Sequence, residues 1–406
     1  MHTLAVPRPA APPEIAGLPL ASWTAAVRPS TIQAMMGLMA RPGVISFALG
    51  LPAPELFPIA EYTRAAEHVL GTDPSALQYR SVHPELKEHV VRVMASRGVR
   101  VGPEQVFITT AAQQALSLLA RVFLEPRGTV ICEELVYMGF QQVIEPYAPR
   151  ILSVGTSLQT GMDVDAVEAW LEEGERPAFI YCVTDGHNPL GCSLSPAKRR
   201  RLVQLVRRHR VPLVEDDAYG LLHYGSPEPP LRALDDEWVL YVGSFSKVLA
   251  PGFRVGWIVA PEPLVPVLGC AKDGCDLDTS TFSQRVVSAY LDSGHFQHHL
   301  ERVRAEYRAR RDLMIAEVAR HFPAGTRWSI PRHGGLIWVQ LPGEMDAGAL
   351  LLPALEQGVA YVPGSAFALP GSTAGRSGMR LNYTFSAPDR IREGIARLGE
   401  VLRSHA

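Results

Sequence analysis

Short apolar runs that alternate with helix-like segments are the feature that most constrains the fold of this chain. From about residue 60 onward, this alternation is the pattern of a parallel sheet covered by helices. Four of the runs end directly before polar clusters, and they lie at residues 129–132, 179–183, 211–214 and 238–242. Because the carboxyl ends of parallel strands meet at one edge of a sheet, where ligands bind, we expect an α/β fold with its site at that edge.

The composition is that of a globular chain large enough for two domains. The 406 residues carry a formal net charge of -2, and 47% of them are hydrophobic. This balance predicts no general attraction to nucleic acid or membranes, and no apolar stretch reaches the roughly 18 residues of a membrane helix. The five cysteines lack CxxC pairing, which predicts neither a metal site nor a disulfide framework. Since the N-terminus has no signal-peptide pattern, we expect a cytoplasmic protein.

A lysine flanked by hydroxyl residues, Lys247, follows the run at 238–242. A lysine at the end of a strand can form a Schiff base with a carbonyl cofactor, and pyridoxal phosphate also needs an acidic partner for its ring nitrogen. In isolation, the same pattern is more typical of a surface lysine. The other runs supply candidate partners, which are Glu133, Tyr137, Asp185, His187, Asn188, Asp216 and Tyr219.

Two further segments have weaker signals. The apolar run at 106–110 leads into a helix-like segment at 111–119, whose first-turn amides suit a phosphate group. The basic segment at 195–210 could suggest nucleic-acid binding, but its apolar residues recur at helical spacing. We therefore expect an amphipathic helix with a basic, solvated face there.

Taken in chain order, these pieces resemble the fold-type I, pyridoxal-phosphate-dependent aminotransferases of class I and II, in particular the branch with 2-aminoadipate and kynurenine aminotransferases. The resemblance begins at about Trp23 and covers nearly all of the chain that follows. Eight segments carry it: ISFALGLPAPELFP (45–58), ITTAAQQAL (108–116), HNPLG (187–191), VEDDAYG (214–220), GSFSKVLAPGFRVGW (243–257), GGLIWVQLP (334–342), VPGSAF (362–367) and MRLNYT (379–384). Each is weak alone, and their common order makes the resemblance specific.

The resemblance implies a large domain with a mostly parallel seven-stranded sheet between helices, and a smaller α+β domain. The large, cofactor-binding domain would span residues 61–299, and the small domain would combine residues 23–60 with 300–406. Residues 1–22, which are rich in Ala and Pro, would form an N-terminal arm.

The resemblance also implies roles around pyridoxal phosphate. Lys247 would be the Schiff-base lysine and then the general base, and Asp216 would pair with the ring nitrogen. Tyr219 and Asn188 would hydrogen-bond the 3'-oxygen of the cofactor, while Tyr137 would stack on its ring. The phosphate would be held by Ser244, Ser246 and Arg254, together with the amides of Ala112 and Gln113.

The substrate-binding residues implied by the resemblance are Arg380, Asn188, Gly50 and Gln33. Arg380 would receive the α-carboxylate of the amino acid, and Gly50 belongs to a loop that closes over substrate. Gln33 stands where 2-aminoadipate aminotransferases carry an arginine for a side-chain carboxylate, so an acidic substrate is disfavoured. Tyr79 matches a tyrosine that enters the neighbouring subunit's phosphate site, which implies a homodimer with shared active sites.

Asp185 and Asp278 lie in segments that line the substrate pocket in the family. One interpretation is that they contact a polar or cationic substrate side chain, and the other, which we favour, is that both are solvated. Three departures from the family pattern stand beside them: Ala111 replaces a glycine, His187 lies in a changed NPTG motif, and the segment after Tyr79 is shortened.

We predict transamination of an α-amino acid to a 2-oxo acid. The alternative is β-elimination or decarboxylative oxidative deamination of a β-substituted amino acid, such as an S-linked cysteine conjugate, in a specialised-metabolite or antibiotic pathway; His187 and the shortened segment favour it. A DNA-binding regulator built on the same fold is disfavoured, because the match at Gly50 begins too early for a preceding helix-turn-helix.

Overall fold

The computed structural model describes residue 21 and residues 23–24, 43–79 and 83–405. Gln33 and nearly all of the predicted N-terminal arm lie outside the described residues. The strands are β1 (Ile45–Ser46), β2 (Val106–Thr109), β3 (Thr129–Glu133), β4 (Arg150–Val154), β5 (Thr156–Ser157), β6 (Gly161–Met162), β7 (Phe179–Val183), β8 (Leu213–Asp216), β9 (Val239–Ser244), β10 (Gly256–Val259), β11 (Arg327–Trp328), β12 (Leu336–Gln340), β13 (Val359–Ala360), β14 (Val362–Pro363) and β15 (Gly378–Asn382). The α-helices are α1 (Ile59–Thr72), α2 (Pro84–Ser96), α3 (Ala111–Phe123), α4 (Met138–Ile144), α5 (Val164–Glu172), α6 (Pro196–His209), α7 (Val265–Asp273), α8 (Thr281–Asp292), α9 (Phe296–His321), α10 (Leu351–Glu356) and α11 (Pro388–Ser404).

A seven-stranded sheet forms the centre of the chain, in the order β2-β10-β9-β8-β7-β3-β4. Strand β10 runs antiparallel to both of its neighbours, and the remaining pairs are parallel. Strands β7, β8 and β9 are buried at every position, as expected for parallel strands that helices cover on both faces. The predicted mostly parallel seven-stranded sheet is confirmed.

The two faces of this sheet have separate apolar cores. On one face, Tyr181, Val214 and Val242 pack with side chains from α3 and α4. On the other face, Ile180 and Leu213 pack with side chains from α5 and α6. Because side chains alternate between faces along a strand, consecutive residues at a strand end reach different surroundings.

A four-stranded antiparallel sheet, β11-β12-β15-β14, lies in the C-terminal part of the chain. Helices α9 and α11 pack against each other there. Strand β1 pairs in parallel with β13, so that the chain near residue 45 joins the C-terminal region. This pairing brings the loop that contains Gly50 towards the central sheet.

Helix α6 confirms the amphipathic helix predicted for the basic segment, since its apolar residues are buried. Two of its basic side chains pair with α5: Arg201 with Asp165 and Glu168, and Arg208 with Glu172 at 2.9 Å. Arg199 departs from the predicted solvated face, because it is buried and pairs with Asp185. In the ranges that the structure covers, no helix has the length and apolar content needed to cross a membrane.

Candidate active site

Lys247 lies three residues beyond the end of β9, at the carboxyl edge of the central sheet. Its Nζ donates a hydrogen bond to the backbone oxygen of Gly50, at 2.8 Å. Burial, together with the positive charges of Arg380 and Arg254, lowers the pKa of Lys247 to about 8, although Asp216 acts in the opposite direction. The amine therefore loses its proton much more readily near neutral pH than an ordinary lysine does, as a nucleophile or a general base requires.

Asp216 is the last residue of β8, and its side chain is buried. Its Oδ2 accepts a hydrogen bond from Tyr181 Oη at 2.7 Å, whereas Oδ1 has no hydrogen-bond partner within the described ranges. Burial raises the pKa of Asp216, against the opposing effects of Tyr181, the Ala218 amide, His187 and Lys247. The site thus contains a buried carboxylate with an unused acceptor oxygen.

Arg380, on β15, reaches across from the C-terminal region. Its Nη1 donates to Asn188 Oδ1 at 2.8 Å, Nη2 donates to the backbone oxygen of Ala48, and the guanidinium lies 4.8 Å from the centre of the Phe367 ring. Its Nε is buried without a partner among the described residues. Burial lowers the pKa of Arg380 to about 10, so that it stays charged at neutral pH.

Two tyrosines complete the walls around Lys247. The Nζ atom lies 5.9 Å from the centre of the Tyr219 ring. A Cβ atom on Gly50 would lie 3.2 Å from Tyr219 Oη, so a larger residue there would press on this hydroxyl. Tyr137 immediately precedes α4 and donates to Gln113 Oε1 at 3.2 Å. Burial raises the pKa of both phenols, which keeps them protonated.

A polar turn lies where β9 ends and α3 begins. Ser244 Oγ donates to Ser246 Oγ at 2.9 Å and accepts from the Ser246 amide at 3.1 Å. Ala111 has a φ of 61°, in the left-handed region that favours glycine, which explains why a glycine is the usual residue at this position. The amides of Ala112 and Gln113 follow in the first turn of α3, where an anion is stabilised.

Two predicted site residues are exposed in the single chain. Arg254 has a φ of 54°, and within the described ranges its guanidinium makes only a long hydrogen bond of 3.4 Å to the Pro251 oxygen. Tyr79 is 82% exposed, and nearby Leu77 is 73% exposed. The fold does not bring the Tyr79 side chain to Lys247 of the same chain.

Neither interpretation of Asp185 is right. Its carboxylate is fully buried, lies 2.6 Å from Arg199 and 3.4 Å from Arg97, and is 3.3 Å from His333. The two guanidinium groups occupy it, and it is neither solvated nor free for a substrate. Asp278 is partly buried, and its only close side-chain partner in the described ranges is Gln284, at 3.5 Å.

His187 is buried and lies beside a carboxylate of the protein. Its Nε2 is 2.8 Å from Glu133 Oε2, although the geometry is not that of an aligned hydrogen bond. The other oxygen of Glu133 accepts from Thr156 Oγ1 at 2.9 Å. His187 is therefore held within the protein, by Glu133.

The sequence analysis missed Tyr181, the one side chain of the described residues that hydrogen-bonds Asp216. It was part of a run interpreted only as apolar. The available signal was strand alternation: Tyr181 shares a face with Val183, and Val183 pairs with Asp216. That signal needs the strand order, which the sequence pattern does not contain.

Comparison with known proteins gives a consistent result. Residues 46–398 match the family model described as aminotransferase class I and II. The aromatic-amino-acid aminotransferase 1 of Thermococcus litoralis is 35% identical over 387 residues, 93% of this chain and 92% of the relative. The 2-aminoadipate transaminase of Thermus thermophilus is 39% identical over 383 residues, 93% of this chain and 94% of the relative. The alpha-aminoadipate aminotransferase structure from Thermus thermophilus, a complex with N-(5'-phosphopyridoxyl)-L-leucine, has a TM-score of 0.88 at 37% identity and covers 95% of this chain and 97% of its own.

The residues of this chain fit pyridoxal phosphate. Asp216 is a buried carboxylate without a cationic partner within ion-pair distance in the described ranges, and a protonated ring nitrogen would supply that partner. Lys247 has an accessible unprotonated form, and the Ser244 turn and the start of α3 present donors for a phosphate. The chain belongs to the class I and II aminotransferases and is a pyridoxal-phosphate-dependent enzyme that transfers the amino group of an amino acid.

Proposed function

We propose that this enzyme transaminates neutral amino acids with apolar side chains, and that its active site is built around Lys247. The observation that carries the proposal is which anion each positively charged side chain of the site would bind. The guanidinium groups that act on Lys247 belong to Arg380 and Arg254, and both have assigned anions in the proposed site. Among the described residues, a buried side-chain carboxylate would then lack a cation, which is costly.

Two of the comparisons support this substrate class, whereas the Thermus thermophilus relative is named for 2-aminoadipate, which is acidic. One relative is named for aromatic amino acids, and the Thermus thermophilus structure contains a leucine adduct. The burial of Asp185 between Arg97 and Arg199 removes the carboxylate that could have attracted a cationic side chain. Leucine and phenylalanine are therefore the first substrates to test.

Each proposed catalytic role follows from the chemistry of the residue. When bound, pyridoxal phosphate supplies an electron sink for negative charge that develops at the substrate Cα. Lys247, with its lowered pKa, moves the Cα proton. Arg380 binds the α-carboxylate, and Asn188, which accepts a hydrogen bond from Arg380, contacts the same carboxylate. These two contacts orient the amino acid. Asp216 would accept a hydrogen bond from the ring nitrogen, and Tyr219 and Asn188 would donate to the 3'-oxygen.

The remaining assignments concern the phosphate, the substrate loop and the subunits. We propose that Arg254, the turn at Ser244 and Ser246 and the amides of Ala112 and Gln113 hold the phosphate, that Tyr137 stacks on the ring, and that Gly50 and Gln33 border the substrate. The exposed side chains of Leu77 and Tyr79 support a homodimer in which Tyr79 reaches the partner's site.

We also propose the domain division at residues 61–299 and at 23–60 with 300–406, which the pairing of β1 with β13 supports. A cytoplasmic location is consistent with free cysteines, three of them buried and Cys270 and Cys275 exposed. The β-elimination alternative depended in part on His187, and the contact of His187 with Glu133 removes that support.

The test starts from the purified holoenzyme. We expect a visible absorbance band from the lysine-bound cofactor, and we expect Lys247→Ala to lose it. Incubation with leucine or phenylalanine should convert the cofactor to pyridoxamine phosphate and release the matching 2-oxo acid. A colourless protein that cannot be reconstituted would overturn the proposed site. A higher kcat/KM for 2-aminoadipate than for leucine would overturn the substrate class, and ammonia release without pyridoxamine phosphate would indicate elimination.

A further inference from the structure

Tyr181 is buried next to Asp216 and held in one orientation. It is 0% exposed, and its ring stacks on Phe140 with a centroid distance of 3.8 Å and an interplanar angle of 5°. Its Oη donates to Asp216 Oδ2 at 2.7 Å. Since the ring is packed and the hydroxyl is bonded to the carboxylate, the phenol and the carboxylate form a fixed pair.

The bond has two consequences for Asp216. It occupies Oδ2 and leaves Oδ1 as the oxygen without a hydrogen bond among the described residues. It also stabilises the ionised carboxylate, because a donor to a carboxylate favours its charged form. Burial alone would favour the protonated acid, so the donor opposes the effect of the surroundings.

We propose that Tyr181 is a positioning residue for transamination: its hydroxyl keeps Asp216 ionised with Oδ1 free, so that the proton between Asp216 and the cofactor stays on the ring nitrogen. The inference rests on the proposed role of Asp216. If the hydroxyl is removed, the carboxylate becomes more basic and takes that proton. The ring then carries less positive charge and withdraws electrons from the substrate Cα less strongly.

Other groups face Asp216 and must be separated from the effect of Tyr181. Lys247 and His187, which follow β9 and β7, favour the ionised form of Asp216. Tyr137 and Tyr219 lie close by as neutral phenols, because burial raises the pKa of each. Tyr181→Phe leaves all four in place and keeps the stacking on Phe140, so that it removes the hydroxyl alone.

Tyr241 on β9 offers a matched control. Its Oη donates to Asp217 Oδ2 at 2.9 Å, and both residues are buried. Tyr241→Phe therefore deletes a buried tyrosine–aspartate hydrogen bond of the same kind, at the carboxylate one residue away in sequence. Asp217 points to the opposite face of the sheet from Asp216, so this variant should not affect the cofactor proton.

The experiment is a spectrophotometric pH titration of the holoenzymes. The link between Lys247 and the cofactor loses its proton more easily when the ring nitrogen is also charged, because two positive charges then share one conjugated system. In Tyr181→Phe the ring charge is reduced, so we expect the visible band to persist to a pH higher by about one unit or more. The dissociation constant for pyridoxal phosphate should rise, and kcat should fall with little change in KM.

The outcome for Tyr241→Phe is a titration like that of the wild type. An additional measurement uses Asp216→Asn: if Tyr181 acts through Asp216, Tyr181→Phe adds no further shift in this background. A Tyr181→Phe protein that melts as a folded enzyme with a wild-type titration and wild-type cofactor affinity would overturn the inference. By contrast, if the wild-type holoenzyme has no visible absorbance band, or if Lys247→Ala keeps that band, the proposed site itself is wrong.

Discussion

Asp216 and Asp217 are consecutive residues with the same functional group, and the structure uses them differently. Each is buried, and each accepts a hydrogen bond from a tyrosine on a neighbouring strand. Asp217 also lies 3.0 Å from Arg97, whereas Asp216 has no ion-pair partner in the described part of the chain. The carboxylate that is complete within the protein is structural, and the carboxylate that lacks a cation is the one suited to a cofactor.

The difference follows from the two faces of the sheet. On the Asp217 face, Arg97 and Arg199 link Asp217 and Asp185 in a buried network that fastens α2 and α6 to the strand ends. Such a network is costly to interrupt, because a buried charge is left without its partner. On the Asp216 face, we propose that a ligand supplies the cation for the carboxylate. The free energy of that ion pair is gained only when the ligand binds.

The largest expected effect of a single change is on catalysis at Asp216. Asp216→Asn removes the negative charge that we propose pairs with the ring nitrogen, and kcat/KM should fall on the order of 10³-fold, the scale of a lost buried charge pair. The apoenzyme should not be destabilised, since it loses a buried charge that has no cationic partner among the residues the structure describes. Steady-state kinetics and urea unfolding of the same preparation measure both quantities. Activity within tenfold of the wild type would contradict the assignment.

Substitution of the next residue, Asp217, should lower stability and leave activity nearly unchanged. Asp217→Asn leaves Arg97 with only the longer contact to Asp185, and the free energy of unfolding should decrease by about 3 kcal/mol. The folded enzyme should keep kcat/KM within a few-fold of the wild type. Equal losses of activity in the two variants would show that the faces are not functionally separate.

The pH dependence of the free energy of unfolding tests the Asp216 face of the sheet through the titration of Lys247. In the apoenzyme, the pKa of Lys247 is about 8, below the roughly 10.5 expected for the unfolded chain. Between these pH values the Lys247 amine binds a proton more often in the unfolded chain than in the folded one. The contribution of Lys247 to the free energy of unfolding therefore rises with pH through this window. Wild-type apoenzyme should therefore gain stability relative to Lys247→Met as the pH is raised from 8 towards 10. A constant difference in chemical unfolding across this range would contradict the lowered pKa.

The smallest expected effect concerns the left-handed backbone at Ala111. Ala111→Gly relieves strain but loses a buried methyl group and adds chain entropy, so the free energy of unfolding should change by less than about 1 kcal/mol. Cofactor affinity should fall a few-fold, because glycine allows the phosphate turn to leave its conformation. Ala148→Gly is the control, since Ala148 is also left-handed, with a φ of 45°, but exposed. Equal cofactor affinities in the two variants would contradict a role for the turn.

Much of the fold could be predicted because the signals are local. The buried runs of β7, β8 and β9 are short and apolar, and the helix α6 shows its period directly in the sequence. The position of Lys247 at the carboxyl edge follows from the same pattern. The motifs in chain order then led to the family, which the match over residues 46–398 confirms.

The partners of individual side chains could not be predicted in this way. Asp185 was expected to be solvated, with contact to a substrate as the alternative, yet it lies against Arg199 and Arg97, the latter 88 residues away in sequence. His187, a departure from the family motif that favoured the elimination alternative, contacts Glu133. These pairings depend on which strands are neighbours and which face each side chain occupies, and neither is encoded in a local pattern.

The sequence by itself determined the α/β class and the cofactor and singled out Lys247 as the candidate lysine, because strand and helix periods and the order of motifs are properties of the chain alone. Only the tertiary structure decided that Asp216 is left without a cation among the described residues while Asp217 has Arg97, and that Tyr181 holds the first of them. The physical reason is that the strand order brings β7 beside β8, and alternation at the end of β8 and in the residue after it sends two adjacent carboxylates into different surroundings.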